Sequence, residues 1–139
     1  VESSRPQTRI AGQRILVVDG NVDAAESLGA LLRCLGAEVV TVHDGPAALE
    51  ALRTEKPAAA VLDIGMPGMD GYEVARRVRA GPRGNEIKLI ALTGWGNDDD
   101  RRRSREAGID HHLVKPVDLH VLEDLLAARR GEPRPANLH

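Results

Sequence analysis

Five short aliphatic runs, each followed by a stretch whose apolar residues recur every three or four positions, limit how this chain can fold more than any other feature. The runs are Arg14–Val18, the segment around Val39, Val40 and Val42, Ala59–Asp63, Ile87–Leu92 and His111–Val114. Short runs of this kind, closed by turn residues, suit strands buried on both faces. The first intervening segment places Ala24, Leu28, Leu31, Leu32 and Leu35 at helical spacing and stops at Gly36. In the second, Asp44 caps a helix through Ala47, Ala48, Ala51 and Leu52, and Pro57 ends the connection. The third, Tyr72–Ala80, keeps Val74 and Val78 on one face. The fourth opens with Asn97–Asp100, where carboxylates complement the helix dipole, and ends at Gly108. The last is begun by Pro116 and Asp118 and carries Leu119, Leu122, Leu125 and Leu126. Strands alternating with helices predict a parallel sheet covered on both faces, and right-handed crossovers leave few topologies. The expected fold is α/β: a three-layer, doubly wound, five-stranded domain.

The length, 139 residues, fits one domain, and 42% apolar residues suffice for one core. That core is aliphatic, since the chain has no Phe, one Trp and one Tyr. A net charge of -2 argues against a dedicated nucleic-acid-binding domain. The single cysteine, Cys34, precludes an internal disulfide, fits a reducing compartment and reads as a small packing residue. Residues 1–13 are polar, hold no apolar run and read as a linker, neither a secretion signal nor a membrane span. Residues 14–130 form the expected domain and 131–139 a flexible tail, with a cytoplasmic location and no membrane contact.

In doubly wound sheets, ligands sit beyond the carboxyl ends of the strands. Asp19 ends the first run, Asp63 the third, Thr93 the fourth and Lys115 the fifth, so four polar groups converge there. A carboxylate can attack phosphorus to form an acyl phosphate, and neighbouring carboxylates can hold Mg²⁺. A lysine and a threonine can bind the remaining phosphoryl oxygens.

The segments Leu16–Asp19 (LVVD), Leu62–Gly71 (LDIGMPGMDG), Ala91–Gly94 (ALTG) and Leu113–Pro116 (LVKP), in this order, resemble the receiver domain of response regulators in two-component signalling. The resemblance runs from about Arg14 to Arg129 and implies a flavodoxin-like strand order 2-1-3-4-5. It implies that Asp63 is the phosphoacceptor and that Asp19 helps hold Mg²⁺ through water. It makes the Gly65 carbonyl a metal ligand and has Thr93 and Lys115 contact the phosphoryl group. It implies a cis bond before Pro116, and a switch in which Thr93 and His112 change together. The donor would be a histidine kinase or a histidine phosphotransfer protein. The isolated domain would catalyse its own phosphorylation and dephosphorylation. A downstream protein would read the face made by the fourth helix, fifth strand and fifth helix. The chain is expected to be a single-domain regulator or the receiver of a hybrid histidine kinase.

One position departs from the family pattern. Two adjacent acids usually follow the first strand, and here the pair is Asp19-Gly20. The missing acid is the direct metal ligand, so Gly20 implies reduced Mg²⁺ affinity. Asp23 reads as a cap of the first helix rather than a replacement. A degenerate receiver that binds partners without phosphorylation is therefore a second reading. A flavodoxin-like cofactor domain is a third, opposed by the absence of a Ser/Thr/Gly phosphate-cradling loop after the first strand.

Blander readings stand beside these. Asp63 can be a plain strand-end residue, Lys115 a solvated lysine and Thr93 a β-branched strand residue. The glycines of Gly65–Gly71 form a turn and lack a P-loop ending. His111 and His112 point to opposite faces of a strand, so with His120 they make a poor shared metal site. Arg101, Arg102 and Arg103 are a solvated helix face or part of a partner surface. Trp95 is an interface anchor or a loop cover.

Overall fold

The computed structural model describes residues 10–66, 68–82, 84, 86–94 and 98–128. Residues 1–9, Trp95, Asn97 and the tail 131–139 lie outside the described residues. The elements run β1 (Arg14–Val18), α1 (Val22–Cys34), β2 (Glu38–Val42), α2 (Gly45–Glu55), β3 (Ala59–Asp63), α3 (Gly71–Ala80), β4 (Lys88–Thr93), α4 (Asp98–Glu106), β5 (His111–Val114) and α5 (Leu119–Ala127). All strands are parallel and the order is β2-β1-β3-β4-β5, the order implied by the sequence motifs.

Successive side chains along a strand point to opposite faces, which splits the core in two. Leu16, Val18, Leu62, Leu89 and Ala91 pack with α2 and α3 residues such as Leu52, Tyr72, Val74 and Val78. Ile15, Val17, Val61, Ile90 and Leu92 pack with Ala25 and Leu32 of α1 and Leu122, Leu125 and Leu126 of α5. Both faces are covered, which is why the apolar residues of β1, β3 and β4 form unbroken runs instead of alternating with polar ones.

Helix ends follow the side-chain chemistry. Asn21, Asp44, Asp70 and Asp118 cap α1, α2, α3 and α5, each accepting a first-turn amide hydrogen. Gly36 and Gly108 hold φ of 95° and 91°, a left-handed turn that glycine enters without strain.

Several sequence expectations are corrected. The cap of α1 is Asn21, whose Oδ1 accepts from the Ala24 amide at 2.9 Å. Asp23 already lies inside the first turn, where it faces the dipole instead. The buried stripe of α1 is Ala25, Gly29 and Leu32, while Leu31 is 49% exposed and Ala24 is also exposed. Cys34 is exposed, two residues on from buried Leu32 and so on the far side of the helix, and does not pack in the core. β4 starts one residue late, at Lys88. α5 begins at Leu119, after the cap Asp118, and Pro116 stays outside it.

The packed region reaches back to Ile10, inside the stretch read as linker. Ile10 is fully buried, the Gly12 amide donates to Gly36 O at 2.8 Å, and Gln13 Nε2 donates to Leu126 O at 3.1 Å. Among the described residues, no helix is long and apolar enough to cross a membrane.

Candidate functional site

The parallel register aligns the strand ends. Val18 lies beside Leu62, Asp63 beside Leu92 and Thr93 beside Val114. Asp19, Asp63, Thr93 and Lys115 therefore meet at one end of the sheet, where the chain order reverses between β1 and β3.

Lys115 Nζ stands 3.6 Å from Asp19 Oδ2 and 3.6 Å from Asp63 Oδ1. That is close enough for an ion pair and too long for a hydrogen bond. Each carboxylate is instead oriented locally. Asp19 Oδ1 accepts from the Asn21 amide at 2.8 Å, and Asp63 Oδ1 accepts from the Gly65 amide at 3.0 Å. The side chain of Asp19 is 8% exposed and that of Asp63 15%. Burial pushes the Asp19 carboxyl above its ordinary range. The Asn21 amide opposes this, the nearby Asp63 charge adds to it, and Lys115 opposes it again. Two carboxylates thus share a confined space with one cation.

The neighbouring positions are open. Gly20, Gly65 and Gly94 are exposed, and a Cβ at Gly94 would meet nothing within 4 Å. Thr93 is buried, and its carbonyl accepts from the Lys115 amide at 2.7 Å. The Lys115–Pro116 bond is cis. Beside the acids, a cleft of about 260 Å³ is lined by Leu28 and Leu31 of α1 and by Pro116 and Leu119. Val22 and Leu31 are among the exposed large apolar residues of the molecule.

His111 pairs with Ile90 and His112 with Ala91, residues that belong to opposite cores. The two imidazoles therefore diverge. His120 is exposed on α5. Among the described residues, no group of three or more His, Cys, Asp or Glu is arranged to hold a metal. His112 Nδ1 lies 2.7 Å from Ser104 Oγ on α4. Of the three arginines, Arg102 pairs with Asp99 and Arg103 lies over the Tyr72 ring, 4.4 Å from its centroid.

Sequence reasoning missed several polar contacts. His43 Nδ1 sits 3.1 Å from the Asp19 carbonyl. Arg79 and Asp110 form a half-buried pair at 2.9 Å. Lys88 is buried, with Nζ donating to the carbonyls of Leu125 and Ala128. The one available signal was a lysine within an otherwise aliphatic strand, because a buried lysine requires acceptors.

The family model for the response regulator receiver domain matches residues 15–127. The chain belongs to that family. It is a receiver domain of two-component signalling. The transcriptional regulatory protein PrrA of Mycobacterium tuberculosis is 41% identical over 120 residues, covering 86% of this chain and 49% of PrrA. The response regulator MprA of Mycobacterium ulcerans is 39% identical over 125 residues, covering 90% of this chain and 52% of MprA. The receiver thus spans about half the length of these curated relatives. The receiver domain of the sensor histidine kinase PA1611 from Pseudomonas aeruginosa, solved with a magnesium ion in its active-site cleft, superposes with a TM-score of 0.76. It is 34% identical, and the match covers 84% of this chain and 95% of that one. The receiver domain of a DNA-binding response regulator from Colwellia psychrerythraea matches at 30% identity and a TM-score of 0.74, covering 80% and 92% of the two chains.

Proposed function

We propose that this receiver accepts a phosphoryl group on Asp63 from a phosphohistidine donor and changes its protein partner as a result. The observation that carries this is the Lys115 ammonium, 3.6 Å from the buried Asp19 carboxylate and from the partly buried Asp63 carboxylate and hydrogen-bonded to neither. The Gly65 amide holds Oδ1 of Asp63 and leaves the second oxygen to attack phosphorus. The new P–O bond forms as the bond from phosphorus to the donor imidazole nitrogen breaks, and the electron pair stays with the imidazole. Lys115 and the Thr93 hydroxyl then bind the phosphoryl oxygens, and Asp19 remains charged beside them.

The donor set also fits Mg²⁺, since it offers hard oxygens and two carboxylates whose mutual repulsion helps raise Asp19. Asp19, Asp63 and the Gly65 carbonyl would hold the ion, and it would neutralise charge on the transferred group. Magnesium in the cleft of the related PA1611 receiver supports this. Gly20 leaves the set one acid short of the usual family pattern. The apolar cleft with exposed Val22 and Leu31 beside Asp19 suits the apolar face of a donor helix. Phosphorylation biases Thr93 and His112 between two arrangements, and a downstream protein reads α4, β5 and α5. The domain itself spans residues 10–130, and protein rather than nucleic acid is its partner.

A second reading is favoured by Gly20 alone: a receiver that binds its partner without phosphorylation. Intact-mass measurement after incubation with acetyl phosphate and Mg²⁺ separates the two. The expected result is one phosphoryl group on the wild type and none on Asp63→Asn. Equal labelling of both proteins sinks the assignment of Asp63. No labelling of either leaves the phosphorylation-independent module.

A further inference from the structure

Helix α4 has the sequence DDDRRRSRE and contains no apolar residue. Other helices of this fold are seated by aliphatic side chains, and α4 is seated differently. Ser104, 2% exposed, is the one buried side chain among its described residues. Its Oγ lies 2.7 Å from Nδ1 of His112 on β5. Two further ties reach α3. The Tyr72 hydroxyl donates to the Asp100 carbonyl at 3.3 Å, and the Arg103 guanidinium covers the Tyr72 ring. The segment after the helix is anchored firmly. Ala107 and Ile109 are buried in the core, and Arg79 Nε donates to Gly108 O at 2.8 Å. Helix α4 is therefore pinned beyond its C-terminus and held along its length by a few polar contacts. Contacts of this type exchange for others of similar strength, whereas an interlocked aliphatic face does not.

The sheet register links this helix to the phosphorylation pocket. His112 pairs with Ala91 and Val114 with Thr93. By strand alternation, Thr93 points to the same face as Ala91 and His112. A change at Thr93 thus reaches His112 across one strand, and from His112 the next contact is Ser104.

We infer that Ser104 is a positioning residue that passes the state of the Asp63 pocket to α4 through its hydrogen bond with His112. This rests on the reading of Asp63 as phosphoacceptor and of His112 as its switch, and adds the element that makes α4 respond. With the Asp63 pocket empty, the Ser104–His112 bond holds α4 against β5. When His112 turns with Thr93, the bond breaks and α4 is free to settle elsewhere on the Tyr72 side. Burial raises the Tyr72 phenol, and the neighbouring Ser104 side chain opposes that rise.

The test uses the whole chain, labelled with ¹⁵N, with beryllofluoride and Mg²⁺ as the phosphoryl mimic. Ser104→Ala removes the hydroxyl, and His112→Phe keeps a ring but removes Nδ1, so either variant carries the test if the other does not fold. Both should still gain one phosphoryl group from acetyl phosphate, because neither residue touches Asp63. In the wild type, the mimic should shift the His112 ring nitrogens and the amides of Asp98–Glu106. In both variants the amide shifts over α4 should vanish while those around Asp63 persist, and in Ser104→Ala the Nδ1 signal should already lie away from its wild-type position. A variant that labels and still passes the full shift to α4 overturns the role of Ser104 alone. A wild type that does not label at Asp63 overturns the underlying reading as well.

Discussion

The two ends of the sheet each set a cation among acids, and they use it in opposite ways. Beneath the starts of β4 and β5, Arg79 donates to Gly108 O, Gly84 O and Ile87 O at 2.8, 2.6 and 2.7 Å and pairs with Asp110 at 2.9 Å. Asp110 also accepts from the Leu89 amide at 2.8 Å. The guanidinium is saturated by fixed partners, which is how a charge survives burial. At the carboxyl end, Lys115 stands 3.6 Å from two acids that have turned to their own backbone. Its charge is balanced, but its hydrogens are not committed to those acids. A saturated cluster ties elements together. A loosely coupled one keeps donors available for an incoming group, which is the arrangement that stabilises developing charge.

That contrast is broken most sharply by exchanging the consequences of losing each cation. Arg79→Met takes the cation from Asp110 and the guanidinium donors from three carbonyls and should destabilise the fold by about 3–5 kcal/mol. The molecules that remain folded should label on Asp63 normally. Lys115→Met should do the reverse, with stability near that of wild type and a labelling rate lower by about 10²- to 10³-fold. Urea denaturation and timed mass measurement on the same two preparations check both arms. If Lys115→Met unfolds like Arg79→Met, the lysine is a structural tie and the contrast disappears.

Gly20 sharpens the comparison from the metal side. Gly20→Asp adds a carboxylate to a set of two, and Mg²⁺ should bind tighter by about 1–3 kcal/mol, the scale of a charge-assisted interaction. Calorimetric titration with Mg²⁺ reads this directly, and labelling should accelerate in parallel. Equal affinity in the two proteins would place the metal elsewhere.

A smaller effect comes from Asp19. Its carboxyl is raised from 3.8, chiefly by burial, so the metal-free fold binds that proton more tightly than the unfolded chain does. The stabilisation from this proton is complete below 3.8 and is lost as pH rises through the raised value. Metal-free Asp19→Asn should lack that loss, becoming more stable relative to wild type between acid and neutral pH. Denaturation midpoints across that range in EDTA decide it, and parallel curves for the two proteins would count against the carboxylate crowding described here.

The smallest effect is optical. Tyr72 is the single tyrosine, and burial raises its phenol above 10.0. Its stabilising contribution is full below that value and fades as pH rises through the raised one. Absorbance at the phenolate band should titrate later than free tyrosine, and earlier titration would show that Tyr72 is not enclosed by α4.

What was readable from the sequence is what depends on near neighbours. Aliphatic runs identify buried strands because both faces of each strand need apolar side chains, and Asp44 caps α2 because its carboxylate reaches an amide three residues on. Convergence of Asp19, Asp63, Thr93 and Lys115 was also legible, since alternation implies a parallel sheet and such a sheet gathers its strand ends. Even locally, two equivalent caps compete, and Asn21 rather than Asp23 begins α1. Exposure of Cys34 and Leu31 depended on which face of α1 met the sheet, a choice that helical spacing alone leaves open. The contacts only the tertiary structure decided join separate elements: Arg79 with Asp110, Lys88 with the end of α5, and Ser104 with His112 across the α4–β5 turn. None has a periodicity or a spacing to announce it. A buried polar group takes whichever partner the packed elements bring within about 3 Å, and that is settled only when the layers close.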